Sequence, residues 1–204
     1  MTLSNLRLLL TVCAAGAVFA AAALGTAGSA RAEEPSGEML VNTCAGCHGT
    51  DGASLGPAAP TIASLSTEYF VLSMKGYQSG KRPSTVMARI AKGFTDEQIK
   101  AMAAYLQSKP FVRVAQPFDA AKAKTGKALA KKYCESCHEN EGRTGEGVGV
   151  LAGQWLPYME FAMAEFRSGA REMERRQAKK YEELMADHGE AGFTAILHYY
   201  ASVK

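Results

Sequence analysis

The string Cys-x-x-Cys-His occurs twice, as Cys44-Ala45-Gly46-Cys47-His48 and as Cys134-Glu135-Ser136-Cys137-His138. With five Cys and four His in 204 residues, two copies are no accident of composition. The spacing has a chemical reason. Two thiols one short turn apart can each add to one vinyl group of a single porphyrin. The His that follows then lies under the iron as an axial ligand. Competing chemistries fit less well. A thioredoxin-like redox pair follows a strand, and no strand pattern precedes either motif. Zinc ribbons keep their CxxC pairs about 15–20 residues apart, whereas Cys47 and Cys134 are 87 apart. The sequence therefore predicts two covalent haem c groups. Cys44 and Cys47 hold the first, Cys134 and Cys137 the second, and His48 and His138 bind the two irons.

Two motifs that start 90 residues apart point to an internal repeat. Thr95-Asp96-Glu97-Gln98 reads as a capping box. It opens a helix whose apolar face is Ile99, Met102, Ala103 and Leu106. Near the end of the chain Phe193, Ile196, Leu197 and Tyr200 recur at the same offsets. Between motif and last helix, Met74 to Arg82 matches Met163 to Arg171. Each half thus reads helix, CxxCH, loop, helix, ligand segment, helix. The expected fold class is all-α, two tandem domains each wrapped around one haem. The expected division is 33–110 for the first domain, 111–117 for a Pro-bounded linker and 118–204 for the second. Each half is small for a self-sufficient core, and a covalent porphyrin supplies the missing apolar surface.

The first 32 residues read as a cleaved signal peptide. Arg7 precedes the uncharged run Leu8–Leu24, and Ala30-Arg31-Ala32 is a small-x-small cleavage site. Cys13 falls inside this segment. The run is slightly short for a membrane span, so the expectation is a periplasmic protein with no membrane span after cleavage. The formal net charge of +3 falls closer to zero once Arg7 and Arg31 are removed. That balance gives no clustered basic face for nucleic acid.

The sixth ligand of each iron decides its electronics. The first half has no spare His, so the candidates are Met74, Met87 and Met102. Met74 and Met102 have core spacing. Met87 follows the break Gly80-Lys81-Arg82-Pro83-Ser84-Thr85, which can bring a side chain back over the haem, and it is the expected ligand. In the second half Met159 and Met163 have core spacing. Met173 is favoured, ahead of Met185 and then His188. His198 reads as a satisfied structural histidine. A Met ligand raises the haem potential relative to bis-His ligation and closes the iron to substrates. Both effects favour electron transfer over oxygen chemistry, and no residue is assigned a catalytic role.

Two CxxCH domains of this size resemble the dihaem c-type cytochromes. Within that family the chain is similar to the cytochrome subunits of flavocytochrome c sulfide dehydrogenases. The resemblance rests on Ser84 to Phe94, on Lys131 to His138, and above all on Leu151-Ala152-Gly153-Gln154-Trp155-Leu156-Pro157-Tyr158-Met159. It continues through Arg171-Glu172-Met173-Glu174 to Tyr199-Tyr200-Ala201-Ser202. It implies His48 with Met87, and His138 with Met173, as the iron ligands. It also implies a Pro carbonyl holding the proximal imidazole, a role that Gly56-Pro57 fits for His48. No Pro lies between His138 and Trp155 to do the same.

The implied partner is an FAD-containing flavoprotein that oxidises sulfide in a heterodimer with the cytochrome. The implied electron acceptor is a soluble c-type cytochrome. Gly145-Glu146-Gly147-Val148-Gly149 lacks the strand of a dinucleotide fingerprint, so any flavin belongs to the partner. The small, uncharged loop Gly52–Gly56 is the expected docking side. Two other readings compete. One is an independent dihaem carrier feeding a terminal oxidase. The other is a dihaem peroxidase, which needs an open iron.

Overall fold

The computed structural model describes residues 33–204. The expected signal peptide, with Cys13, lies outside the described residues. The elements form where the local chemistry asks for them. Helix α1 (Gly37–Asn42) starts where the Ser36 hydroxyl accepts from the Met39 N–H. Helix α2 (Ala45–His48) is the first CxxCH motif itself. Helix α3 (Thr67–Ser79) is capped by Ser66 and stopped by Gly80, whose φ of 77° few other residues adopt. Helix α4 (Met87–Ile90) is one turn long. Helix α5 (Asp96–Gln107) opens on the expected capping box, with both Thr95 and Gln98 bonds made. In the second half, α6 (Ala120–Tyr133) is capped by the Asp119 carboxylate and runs into Cys134. Helix α7 (Leu156–Arg167) carries Pro in its first turn. Helix α8 (Arg175–Ser202) breaks at Gly189, where φ is 58° and ψ −159°. Among the described residues there is no strand, only the isolated bridge between Glu139 and Thr144.

The repeat extends to the backbone. The Ile62 and Ala63 N–H groups both donate to the Gly52 carbonyl, and those of Leu151 and Ala152 both donate to the Gly142 carbonyl. Ser64 donates to Leu106 as Gly153 donates to Tyr200. The left-handed residues recur too: Asp51 (φ 54°) with Glu141 (φ 57°), and Ser64 (φ 60°) with Gly153 (φ 71°). Gly189 occupies the place of the cap Thr95, so α8 is two helices end to end. Its second part is the counterpart of α5. Its first part, 175–188, replaces the single turn of α4.

Each half buries its own cluster. Ile99, Met102, Ala103 and Leu106 are fully buried with Leu40, Val41, Phe70 and Met74. Phe193, Ile196, Leu197 and Tyr200 are buried with Tyr133, Leu156, Met159 and Leu184. In both halves the first helix crosses the last at a glycine. A Cβ on Gly37 would run into the Ala101 carbonyl, and one on Gly126 into the Ala195 carbonyl. These contacts bring α1 onto α5 and α6 onto α8 at backbone distance.

Residues 111–117 are non-helical but do not hang free. Phe111 is buried in the first cluster, together with Val150 from the other half. Arg113 donates to the Ala152 carbonyl at 3.1 Å. The Gln116 side chain donates to the Gln154 carbonyl at 2.9 Å and accepts from the Leu156 N–H at 2.8 Å. The segment is a belt against the second half, and Pro35–Lys204 form one compact unit.

Gly126→Ala puts a methyl where a carbonyl already lies. The expected loss is about 1–3 kcal/mol for overpacking, or about 2–4 °C in Tm per kcal/mol at this chain size. Thermal unfolding followed by far-UV circular dichroism measures it.

Candidate metal centres

Each CxxCH motif winds as one helical turn. The Cys47 and His48 N–H groups donate to the Cys44 carbonyl at 3.2 and 2.9 Å. Those of Cys137 and His138 donate to the Cys134 carbonyl at 3.1 and 2.9 Å. Residues at i, i+3 and i+4 share a helix face, so two sulfurs and one imidazole point to the same side. Neither pair is joined as a disulfide. The two pairs lie in separate halves, and among the described residues no three His, Cys, Asp or Glu side chains converge as a metal site. Burial pushes the Cys44 thiol up, and the Cys134 thiol to about 11.

The imidazoles are held from behind. His48 Nδ1 lies 2.8 Å from the Pro60 carbonyl oxygen, and His138 Nδ1 lies 2.9 Å from that of Gly149. A carbonyl only accepts, so Nδ1–H donates and Nε2 keeps its lone pair for a metal. Burial holds both imidazoles below their ordinary pKa, with the carbonyl bond working partly against it. Each ring is therefore neutral at pH 7, the form a metal ligand requires. Two thiols and a neutral, oriented imidazole on one face are the donor set of haem c, and the fit occurs twice. One expectation needs correcting. The partner of His48 is Pro60, not Gly56-Pro57. Pro57 lies on the early arm of the loop, and the chain returns to the ring only at Pro60. In the second half the same place is taken by Gly149, since any residue supplies a carbonyl.

The methionines separate by burial. Met74, Met102 and Met159 lie inside the clusters, as their core spacing implies. Met87 is half-buried at the edge of the first cluster, at the start of α4. The Ser84 hydroxyl accepts from its N–H at 2.8 Å. Met173 is half-buried in the irregular segment just before α8. Met185 packs against the second cluster. His188 sets its ring edge-on to Tyr133. His198 Nδ1 accepts from the Asp119 N–H at 3.1 Å, a structural role.

The loops that carry these carbonyls are supported from the opposite half. Gln154 accepts from the Thr61 N–H at 3.0 Å and donates to the Thr61 carbonyl at 2.9 Å. Thr61 follows Pro60, so a second-half side chain fixes the backbone behind His48. The Trp155 indole donates to the Ser54 carbonyl at 3.2 Å, and its ring lies against Gly56. In return, the Tyr69 ring lies over Gly149, behind His138, and the Ser66 hydroxyl accepts from the Gly147 N–H at 3.3 Å. Trp155 therefore covers part of the loop Gly52–Gly56, while Leu55 at its tip stays exposed. Sequence reasoning picked out Gly-Gln-Trp by resemblance but not the part Gln154 plays. Its only signal was an amide beside an aromatic in a Gly-rich stretch.

The segment 36–110 matches the family Cytochrome c. The cytochrome subunit of sulfide dehydrogenase from Chlorobaculum tepidum is 47% identical over 72 residues, 35% of this chain and 64% of that protein. This chain thus spans less than two thirds of that relative. Cytochrome c4 of Azotobacter vinelandii is 30% identical over 167 residues, 72% of this chain and 80% of that protein. The reduced recombinant cytochrome c4 of Pseudomonas stutzeri superposes with a TM-score of 0.70 at 23% identity, over 82% of this chain and 97% of that one.

Gln154→Leu leaves the buried Thr61 N–H and carbonyl unpaired. The expected cost is about 1–3 kcal/mol for each unsatisfied group. In the holoprotein the haem-methyl NMR shifts of the first centre should move while those of the second stay. Chemical denaturation and proton NMR of the ferric protein check the two halves of this expectation.

Proposed function

Because the chain belongs to the cytochrome c family, we propose that it takes electrons from a flavin-bearing dehydrogenase subunit that oxidises sulfide and passes them to a soluble c-type cytochrome. The chain is a c-type electron carrier with two covalently bound haem c groups. Bound haem supplies a one-electron iron couple, and the protein's part is to hold and insulate it. In this reading the domains are 33–110 and 118–204. Cys44 and Cys47 anchor the first haem and Cys134 and Cys137 the second. His48 with Met87, and His138 with Met173, ligate the irons. Pro60 and Gly149 orient the imidazoles, each presenting Nε2.

The observation that carries the reading is the recurrence of one motif-and-carbonyl geometry in two halves that brace each other. Two centres in one compact unit suit relay from a donor to an acceptor. The 47% identity to the Chlorobaculum cytochrome subunit of sulfide dehydrogenase supports a sulfide-oxidising partner; FAD and a heterodimer are what the resemblance of the sequence implies for it. The export expected from residues 1–32 supports a periplasmic site. No described helix is long and apolar enough to cross a membrane. A second reading, an independent dihaem carrier donating to a terminal oxidase, is favoured by the longer match to cytochrome c4.

Two measurements test the proposal. Met87→Leu and Met173→Leu should each abolish that haem's share of the Met-to-iron charge-transfer band of the ferric protein and lower its potential. Met74→Leu should leave the band and cost less than about 1.5 kcal/mol, as volume-conserving swaps do. If Met185→Leu removes the second band and Met173→Leu does not, Met185 is the ligand. For the partner, co-expression with an exported, sulfide-oxidising flavoprotein should give flavin and haem absorbance co-eluting at a fixed ratio. Elution of the cytochrome alone beside a functional flavoprotein selects the independent carrier.

A further inference from the structure

The short turn that carries Met87 is held at both ends. At its start the Ser84 hydroxyl accepts from the Val86 and Met87 N–H groups at 3.2 and 2.8 Å. Its far end is held from α3. The Gln78 side-chain Nε2 donates to the Ala91 carbonyl at 2.9 Å and to the Phe94 carbonyl at 2.9 Å. The Ala91 N–H in turn donates to the Met87 carbonyl. The residue that Gln78 grips is thus bonded directly to the residue that carries the sulfur. Ala91 is fully buried, and Met87 and Phe94 pack against the first cluster. The ligation scheme gives Gln78 no part.

The repeat does not reproduce this arrangement. By the match of Met74–Arg82 to Met163–Arg171, the counterpart of Gln78 is Arg167. Arg167 pairs with Glu190 and lies over the Phe193 ring, 5.7 Å from its centroid. Both partners lie beyond Gly189, so Arg167 fastens the last helix and not the segment that follows Met173. An exposed ion pair of this kind contributes little. The amide of Gln78 is different in kind. Its removal takes a donor from two carbonyls at once, one of them on a buried residue, and a carbonyl left short of a donor favours the open, hydrated chain.

We propose that Gln78 is a latch on the first centre: a positioning residue that holds the Met87 turn closed and so keeps small nitrogen ligands off that iron. This rests on Met87 as the ligand, which Met87→Leu tests separately. Opening is a ligand exchange. The bond from Met87 Sδ to iron breaks, an imidazole nitrogen takes its place, and no electron moves. The apparent affinity for imidazole is the intrinsic affinity reduced by the fraction of open chain, so it reports the latch. Gln78→Leu removes the donors and adds no competing sulfur. The fully loaded ferric chain with this change should keep two haems and both Met-to-iron bands. It should bind imidazole about tenfold more tightly at the first centre, the equivalent of about 1.4 kcal/mol, with the second centre unchanged. Gln78→Glu has the same shape without the N–H donors and provides the same test if the Leu variant does not fold. Gln78→Lys ends in one nitrogen that can donate to both carbonyls and should return the affinity toward that of the parent. Met74→Leu loosens the same cluster without touching the turn and should leave the affinity alone. Imidazole titration followed by haem-methyl NMR, which resolves the two centres, reads all four variants. An unchanged first-centre affinity in a folded Gln78→Leu or Gln78→Glu variant, an equal rise at both centres, or an equal rise in Met74→Leu overturns the latch alone. A first band that survives Met87→Leu overturns the ligation and the latch with it.

Discussion

Both halves are organised around one buried contact, an imidazole nitrogen donating to a backbone carbonyl across a loop. The bond selects the tautomer, and the tautomer decides which nitrogen is left to bind iron. It can form only if the loop returns to the ring. That return is fixed by the two N–H groups that converge on Gly52, or on Gly142, and by the bond that ties the loop to the last helix. Left-handed residues make the reversals possible, and four of them, Asp51, Ser64, Asn140 and Glu141, are not glycine. Such conformations cost of order 1–3 kcal/mol and persist where the surroundings over-determine them. Here several backbone bonds do so.

The duplication has gone further than placing two small domains side by side. Val150 fills the first cluster, Gln154 completes the backbone behind His48, and Tyr69 covers the backbone behind His138. A half of about 85 residues has only a small core of its own to brace such a loop. Exchanging supports gives each centre a second wall. It also joins the two centres physically, since a side chain that moves behind one imidazole belongs to the other half.

What could be read from sequence is what side chains determine. The CxxCH spacing, the Thr95 capping box and the 3.6-residue apolar faces all survive in the structure. So does the match of Met74–Arg82 to Met163–Arg171, which places Tyr69 and Tyr158 on corresponding turns. Backbone chemistry was less legible. A carbonyl acceptor carries no signature, and the proline expectation therefore fell on Pro57, three residues before the residue that bonds His48. The glycine crossings at Gly37 and Gly126 depend on which helices meet, which is tertiary information. The belt at 111–117 looked like a linker because prolines bound it and no helical period runs through it. Its burial comes from Phe111 and Gln116, single residues with no pattern around them.

The proximal sides of the two centres are close copies: the imidazole–carbonyl distances are 2.8 and 2.9 Å. The segments that hold the expected iron-binding methionines are not: Met87 opens the single turn of α4, and Met173 precedes the long charged helix 175–188. Ser73, which binds Arg82, corresponds to Ala162, so Arg171 lacks that anchor and is less buried. Axial ligation, burial and surrounding hydrogen bonds set a haem potential. With the proximal hydrogen bond repeated in both halves, a difference between the two potentials is expected from the segments the halves do not share, those that follow Met87 and Met173. These are also the regions where the two halves of the sequence have diverged most in length.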